Sequence, residues 1–336
     1  MNRAQSWEGS ELAPDIAQAK DLADRTLTGD RRAIARSISL VEDGDPLAGE
    51  VIRLLFPHTG RAIRVGITGP PGVGKSSLIS GLIKAVRAEG RSVGVVSVDP
   101  SSPFTKGALL GDRIRLTEHF LDTGVFIRSM GSRGHLGGLA ETTMEAVMVL
   151  DAAGKDVVFV ETVGVGQSEI EVIGISDVII LVLMPGSGDS IQALKAGVME
   201  IPDIIVVNKK DHPQAEQMCD EIGAMLCLSA AHKEWMPPIL STQAQLDEGV
   251  TELWLAVEDY VARQRASGEL ERRRARQLEQ EVFALALQQM ERHLRREAGS
   301  NLVLADILAQ VARREVDPLT AQERILTEVF GVSPVD

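Results

Sequence analysis

Apolar positions in the first sixty residues recur at helical spacing. Leu22, Ala23 and Leu27 form one stripe, and Ile34, Ile38 and Val41 form a second. Gly29-Asp30 separates the two runs, and Asp30 stands where the second helix needs a cap. A third short helix is expected around Leu47 to Leu55, ending near Pro57. From Arg61 the rhythm changes to short runs rich in β-branched or aromatic residues. They are Ile63 to Ile67, Ser92 to Val98, Phe126 to Arg128, Asp156 to Val160, Val178 to Leu183, Ile204 to Val207 and Ala224 to Ser229. Helical patterns lie between them at Lys75 to Glu89, Leu139 to Ala153, Ser190 to Met199 and Pro213 to Ile222. Near-continuous apolar strands separated by helices predict a largely parallel sheet covered on both faces, an α/β fold.

The pattern changes again near the end. Glu269 to Glu297 reads as one long helix, with Leu278, Val282, Phe283, Leu285, Ala286 and Met290 marking an apolar face. Leu302, Leu304, Ile307, Leu308 and Val311 mark another, and a final short helix is expected near Ala321 to Phe330. Two arrangements suit these helices: packing back onto the sheet domain, or pairing with a second subunit. The basic run Arg272 to Arg276 reads as a solvated helix face, because Glu269, Glu271, Glu279 and Glu281 surround it. The expected organisation is a helical extension over 1–60, a sheet domain over 61–265 and a helical region over 266–336.

Composition narrows the function. The chain has 336 residues, 35 basic against 48 acidic, for a formal net charge of -13. Such a chain repels nucleic acid and anionic lipid at long range, so neither is an expected partner. Seven Phe, three Trp and one Tyr are too few for a stacking platform on single-stranded nucleic acid. Cys219 and Cys227 make neither a disulfide framework nor a zinc motif. No apolar stretch reaches the length of a membrane span, and MNRAQSWEGSELAPDIA lacks the apolar core of a signal peptide. A cytoplasmic location is the expectation.

The chemistry is concentrated in two motifs. Gly69 to Ser76 read GPPGVGKS, a complete Walker A loop set between a strand pattern and a helix pattern. Gly69, Gly72 and Gly74 let the chain, with Pro70, Pro71 and Val73, wrap around phosphates. Lys75 is expected to reach the β- and γ-phosphates, and Ser76 to offer its hydroxyl to Mg²⁺. Ser77 continues into the helix, whose positive end adds to the attraction. The second motif, Asn208-Lys209-Lys210-Asp211, follows a strand. The carboxylate of Asp211 can accept both the ring N–H and the exocyclic amine of guanine, which adenine does not offer in that geometry. Ser229-Ala230, at the end of the last expected strand, is placed to present a backbone amide to the guanine carbonyl. A P-loop NTPase using GTP/GDP and Mg²⁺ is the expectation.

Further candidates lie at strand ends. Glu161 closes the strand Val157 to Val160, where a carboxylate facing the phosphate loop orients the Mg²⁺ shell, although a strand-end acid can also simply cap a turn. Gly164 is expected to approach the γ-phosphate and to move when it leaves. Gln167 suits either water positioning or a sensing role. Asp99 is a candidate for Mg²⁺ or its waters. Asp112, thirteen residues on, suits either a mobile-loop carboxylate or a surface turn. The glycine-dense run from Ser129 to Gly138 reads as a working loop, with His135 a hydrogen-bonding residue rather than a metal ligand.

The ordered set of segments resembles one family, the methylmalonyl-CoA mutase-associated GTPases. The resemblance rests on GDRRAIARSISLVE at 29–42, GPPGVGKSSL at 69–78, VDPSSPFTKGALLGDRIRL at 98–116 and FIRSMGSRGHLGG at 126–138. It continues through FVETVGVGQSE at 159–169 and MPGSGDSIQALKAGVMEIPDIIVVNKKD at 184–211. It implies a GTPase that chaperones an adenosylcobalamin-dependent acyl-CoA mutase and gates cofactor loading or protection. It assigns Asp99, Asp112 and Glu161 to the Mg²⁺ site and its switching shell. The Gly164 to Glu169 and Asp189 to Glu200 segments would contact the partner in a nucleotide-dependent way. The C-terminal helices become a homodimerisation region. Pro202 and Thr105-Lys106-Gly107 depart from the family's commoner residues, which leaves the client mutase open.

No base or arginine finger stands out, so slow turnover that accelerates with a partner is expected. Three other readings remain at this level. A transport-linked kinase or ATPase would prefer ATP, which Asp211 opposes. A metal-insertion GTPase calls for a Cys/His-rich tract that this chain lacks. A non-catalytic assembly factor would bind nucleotide without turning it over.

Overall fold

The computed structural model describes residues 15–99, 116–131, 138–162, 174–186, 202–229 and 235–332, with side chains at all of these except 99, 138–141, 228 and 229. Among them are the strands β1 (Ile63–Thr68), β2 (Val93–Asp99), β3 (Val125–Gly131), β4 (Val157–Thr162), β5 (Val178–Leu183), β6 (Ile204–Asn208) and β7 (Ile239–Thr242). They form one sheet in the order β3-β2-β4-β1-β5-β6-β7. Every neighbouring pair is parallel. The strand that follows β1 lies toward one edge of the sheet and the strand that follows β4 toward the other, so the order reverses between these neighbours. In sheets with such a reversal, ligands usually bind beside it at the carboxyl ends of the strands. The α/β fold with a parallel sheet is therefore as the sequence predicts.

The described helices are α1 (Ile16–Leu27), α2 (Arg31–Asp43), α3 (Pro46–Leu55), α4 (Lys75–Ala88), α5 (Gly138–Ala152), α6 (Ala215–Ser229), α7 (Val250–Ala266), α8 (Glu269–Glu297), α9 (Leu302–Ala312) and α10 (Pro318–Arg324). Asp30 caps α2 by accepting from the amides of Arg32 and Ala33. Alternation along the strands divides the core between the two faces of the sheet. One face packs Val65, Ile67, Val95 and Phe159 against Leu78 and Leu82 of α4 and Leu253, Trp254 and Val257 of α7. Phe159 and Trp254 meet edge to face, with ring centroids 6.5 Å apart. The opposite face packs Val96, Val98, Val158 and Val160 against α1–α3 and α5. Helices α1 to α3 thus share a core with the sheet. Asp151 of α5 accepts from the amides of Gly60, Arg61 and Ala62, which fixes the turn feeding β1.

Three expectations change, one of them the solvated basic face at Arg272 to Arg276, where Arg273 and Arg274 instead pair with the little-exposed Asp203 and Asp177. Ala224 to Ser229, expected as a strand, is the last part of α6. Met218, Ile222 and Leu226 recur every four residues and bury against Leu181, Leu183, Ile205 and Val207. The helical period runs through the short apolar run that suggests a strand. The seventh strand is instead β7, whose apolar content is only Ile239 and Leu240, too short to signal itself. Helix α7 is a further element that the sequence reading does not set out.

The chain divides into two compact units, Met1–Gln277 and Leu278–Asp336. The root of α8 belongs to the first. There Arg274 donates to Asp177 at 2.5 and 2.8 Å, and Arg64 donates to the same carboxylate at 2.7 Å. Gln277 donates to the carbonyl of Ser176 and accepts from Arg64. Arg273 pairs with Asp203, which also accepts from the Tyr260 hydroxyl at 2.5 Å. In the second unit Leu304, Ile307 and Ala321 are buried. Val282, Phe283, Leu287 and Met290 are exposed. No described helix is long and apolar enough to cross a membrane.

Candidate functional site

The loop from Gly69 to Gly74 leaves the tip of β1 and enters α4 at Lys75. Two glycines are required by their surroundings. A Cβ on Gly69 (φ 139°) would stand 2.1 Å from the carbonyl oxygen of Val182, and one on Gly74 (φ 98°) would stand 2.4 Å from Nδ2 of Asn208. Gly72 (φ 79°) has nothing within 4 Å of its Cβ position, so the outer part of the loop is an open cradle. The Lys75 ammonium is buried and donates to the carbonyls of Gly69 (2.6 Å) and Pro70 (3.1 Å). Loop amides, a helix start and an ammonium are the donor set that holds phosphate oxygens.

Ser76, on the first turn of α4, donates to Oε1 of Glu161 at 2.6 Å. Both are buried. The register of β1 against β4 sets Ile67 beside Glu161, which carries the carboxylate to the base of the loop. Thr162 donates to Thr68 at 3.3 Å, joining the two strand tips. A hydroxyl and a carboxylate in contact at this edge fit a hard divalent cation such as Mg²⁺, which favours oxygen ligands and keeps several waters. Among the described residues no cluster of three His, Cys, Asp or Glu side chains forms a ready-made metal site. Asp99 ends β2, with its side chain outside the described set, and Asp112 lies outside altogether, as do Gly164 and Gln167.

Strand β6 delivers the second motif to the same edge. Asn208 is buried and donates to the carbonyl of Val73 at 2.7 Å. Its Oδ1 accepts from the Thr242 hydroxyl and the Ala244 amide, each at 3.1 Å. Lys209 takes a left-handed backbone (φ 60°) and its Nζ stands 3.0 Å from the sulfur of Met184. Lys210 pairs with Glu248 at 2.5 Å. Asp211 is exposed and makes no hydrogen bond with the described residues, leaving its two oxygens available as acceptors.

The phosphate loop, Glu161 and the Asn208–Asp211 turn therefore converge on one edge. Ser229 does not end a strand as expected. It ends α6, and Ala230 lies outside the described residues. The residues that stand beside Asn208 are Thr242 and Ala244, which sequence reasoning missed. The available signal was the polar tip Ser241-Thr242 followed by a helical pattern, a strand–loop–helix unit with a very short strand.

Comparison with known proteins agrees with this arrangement. A Pyrococcus abyssi protein bearing a GTPase name is 45% identical over 318 residues, covering 93% of this chain and 97% of that protein. GTPase ArgK of Escherichia coli is 38% identical over 263 residues, covering 75% of this chain and 79% of its own. The crystal structure of a LAO/AO transport system kinase superposes with a TM-score of 0.68 at 29% identity, covering 96% of this chain and all of that one. The family model described as methylmalonyl Co-A mutase-associated GTPase MeaB matches residues 34–299, and with both sequence motifs joined at one sheet edge the chain belongs to that family.

Proposed function

We propose that this chain hydrolyses GTP to GDP and phosphate, and that its nucleotide state gates the loading or protection of adenosylcobalamin on a B12-dependent acyl-CoA mutase. The observation that carries the nucleotide half is the bond from Asn208 to Val73. It ties the loop suited to phosphates to the turn suited to guanine. The mutase half is supported by the family's description.

Lys75 exchanges its loop carbonyls for β- and γ-phosphate oxygens when GTP enters, and the loop amides fix the phosphate chain for attack by water. Ser76 and Glu161, with Asp99 and Asp112, would hold Mg²⁺, which would supply positive charge to offset that developing on the transferring phosphoryl group. Asp211 accepts from the guanine edge, Lys209 flanks the base, and the loop after β7 around Gln243 and Ala244 borders the purine in place of Ser229-Ala230. Gly164 follows the γ-phosphate, and Gln167 positions water or relays the nucleotide state. We assign nucleotide chemistry to 61–265 and pairing of two copies to 266–336, where the exposed apolar residues of α8 provide a surface. The site of action is the cytoplasm.

Calorimetry with GTP and with ATP, followed by hydrolysis time courses with and without an adenosylcobalamin-dependent acyl-CoA mutase, tests this reading. Preference for GTP, slow turnover and acceleration by the mutase are expected. Equal or tighter ATP binding would overturn the guanine assignment. A mutase affinity indifferent to GTP and GDP would overturn the gating.

A further inference from the structure

Ser97 lies outside both sequence motifs, yet its side chain reaches the site. It is buried in β2, and the register of β2 against β4 sets it directly beside Glu161. Its hydroxyl donates to Oε2 of Glu161 at 3.2 Å, while Ser76 donates to Oε1 of the same carboxylate at 2.6 Å. The two serines thus hold the two oxygens of one buried group, one from the first turn of α4 and the other from β2.

The last torsion of a glutamate is broad, so the side chain's own preferences do not set which way the carboxylate plane faces. A bond to Oε2 from β2, a strand paired on both sides, contributes to setting it, with Oε1 then turned toward Ser76. Groups that orient a metal's ligands from behind commonly change metal affinity by tenfold or more.

We infer that Ser97 is a positioning residue for the divalent-cation site, acting through Glu161 and not by touching cation or nucleotide. The inference rests on the GTPase reading above. Its signature is a defect confined to the Mg²⁺ dependence of nucleotide binding.

The test titrates Mg²⁺ against a fluorescent GTP analogue bound to the full chain, for the unaltered protein, Ser97→Ala and Ser97→Thr, with binding in EDTA as reference. Ser97→Ala should raise the Mg²⁺ concentration at half-effect about tenfold. It should leave affinity in EDTA unchanged, although the thermal midpoint should fall, because a buried carboxylate oxygen loses a donor. Ser97→Thr, which keeps the hydroxyl, should restore the wild-type curve. An unchanged Mg²⁺ curve for Ser97→Ala would overturn the inference, and so would equal weakening with and without Mg²⁺. If the unaltered chain bound the analogue with no Mg²⁺ dependence, the GTPase reading would fall with it, which separates the two failures.

Discussion

The side-chain amide of Asn208 donates to the backbone carbonyl of Val73 at 2.7 Å, across 135 positions of sequence. The same side chain receives the Thr242 hydroxyl and the Ala244 amide. One residue therefore holds three loops together. Asn208→Ala should destabilise the chain by about 1–3 kcal/mol, because buried donors and an acceptor lose their partner. It should also weaken guanine nucleotide binding. Urea unfolding and nucleotide titration measure the two effects, and an unchanged nucleotide affinity would refute the bridging role.

Asp211 has no competing hydrogen bond from the described residues, so its loss should act on ligand alone. Asp211→Ala is expected to lower GTP affinity about a hundredfold or more, since both donors of the guanine edge lose their acceptor. ATP affinity and thermal stability should not move. A parallel fall in both nucleotides would point to loop collapse instead.

Asp177 sits under the sheet with Arg64 and Arg274 on its oxygens. Burial works to raise its pKa, but the Arg274 hydrogen bond and the Arg64 charge outweigh it and hold the carboxyl below its ordinary value. A folded pKa below the unfolded one means that the stabilisation is complete above about pH 4 and is lost as the pH falls further. Asp177→Ala should cost about 3–5 kcal/mol at pH 7, because two arginines lose a buried partner. The gap between the two proteins should close on acidification, which urea unfolding across pH 7 to 3 would record. A gap that stayed constant would contradict the charge argument.

His119 is buried against Ser80, with Nε2 and Oγ 2.7 Å apart. Burial lowers its pKa, with Glu118 and Asp122 opposing and Lys84 assisting. The fold therefore favours the neutral ring. Its contribution is complete above the unfolded value of about 6.5 and declines as the pH falls through the folded one. His119→Gln keeps a partner for Ser80 and removes the titration. Stability of this variant should vary less between pH 7 and 5 than that of the parent, as thermal melts at each pH would reveal.

The exposed apolar face of α8 gives a test of pairing. Val282 is 64% exposed and Phe283 61%. Replacing both by Asp should convert a dimer to a monomer in sedimentation velocity and leave nucleotide affinity unchanged. If the parent chain already sediments as a monomer, the dimer assignment is wrong.

Much of this was legible without coordinates. The Walker loop, the Asn208–Asp211 turn and α8 over Glu269–Glu297 follow from local chemistry and periodicity, which sequence records directly. Fourfold spacing through Met218, Ile222 and Leu226 outweighed the apolar run that suggested a strand, while β7 was too short to announce itself. Only the tertiary structure set β1 between β4 and β5, brought Glu161 to Ser76 and Ser97, and carried Asn208 to Val73 and Thr242. Parallel pairing joins residues far apart in the chain, and its register is decided by how both faces of the sheet are buried. The residue types of the site are thus local information, and their meeting at one edge is a property of the packed sheet.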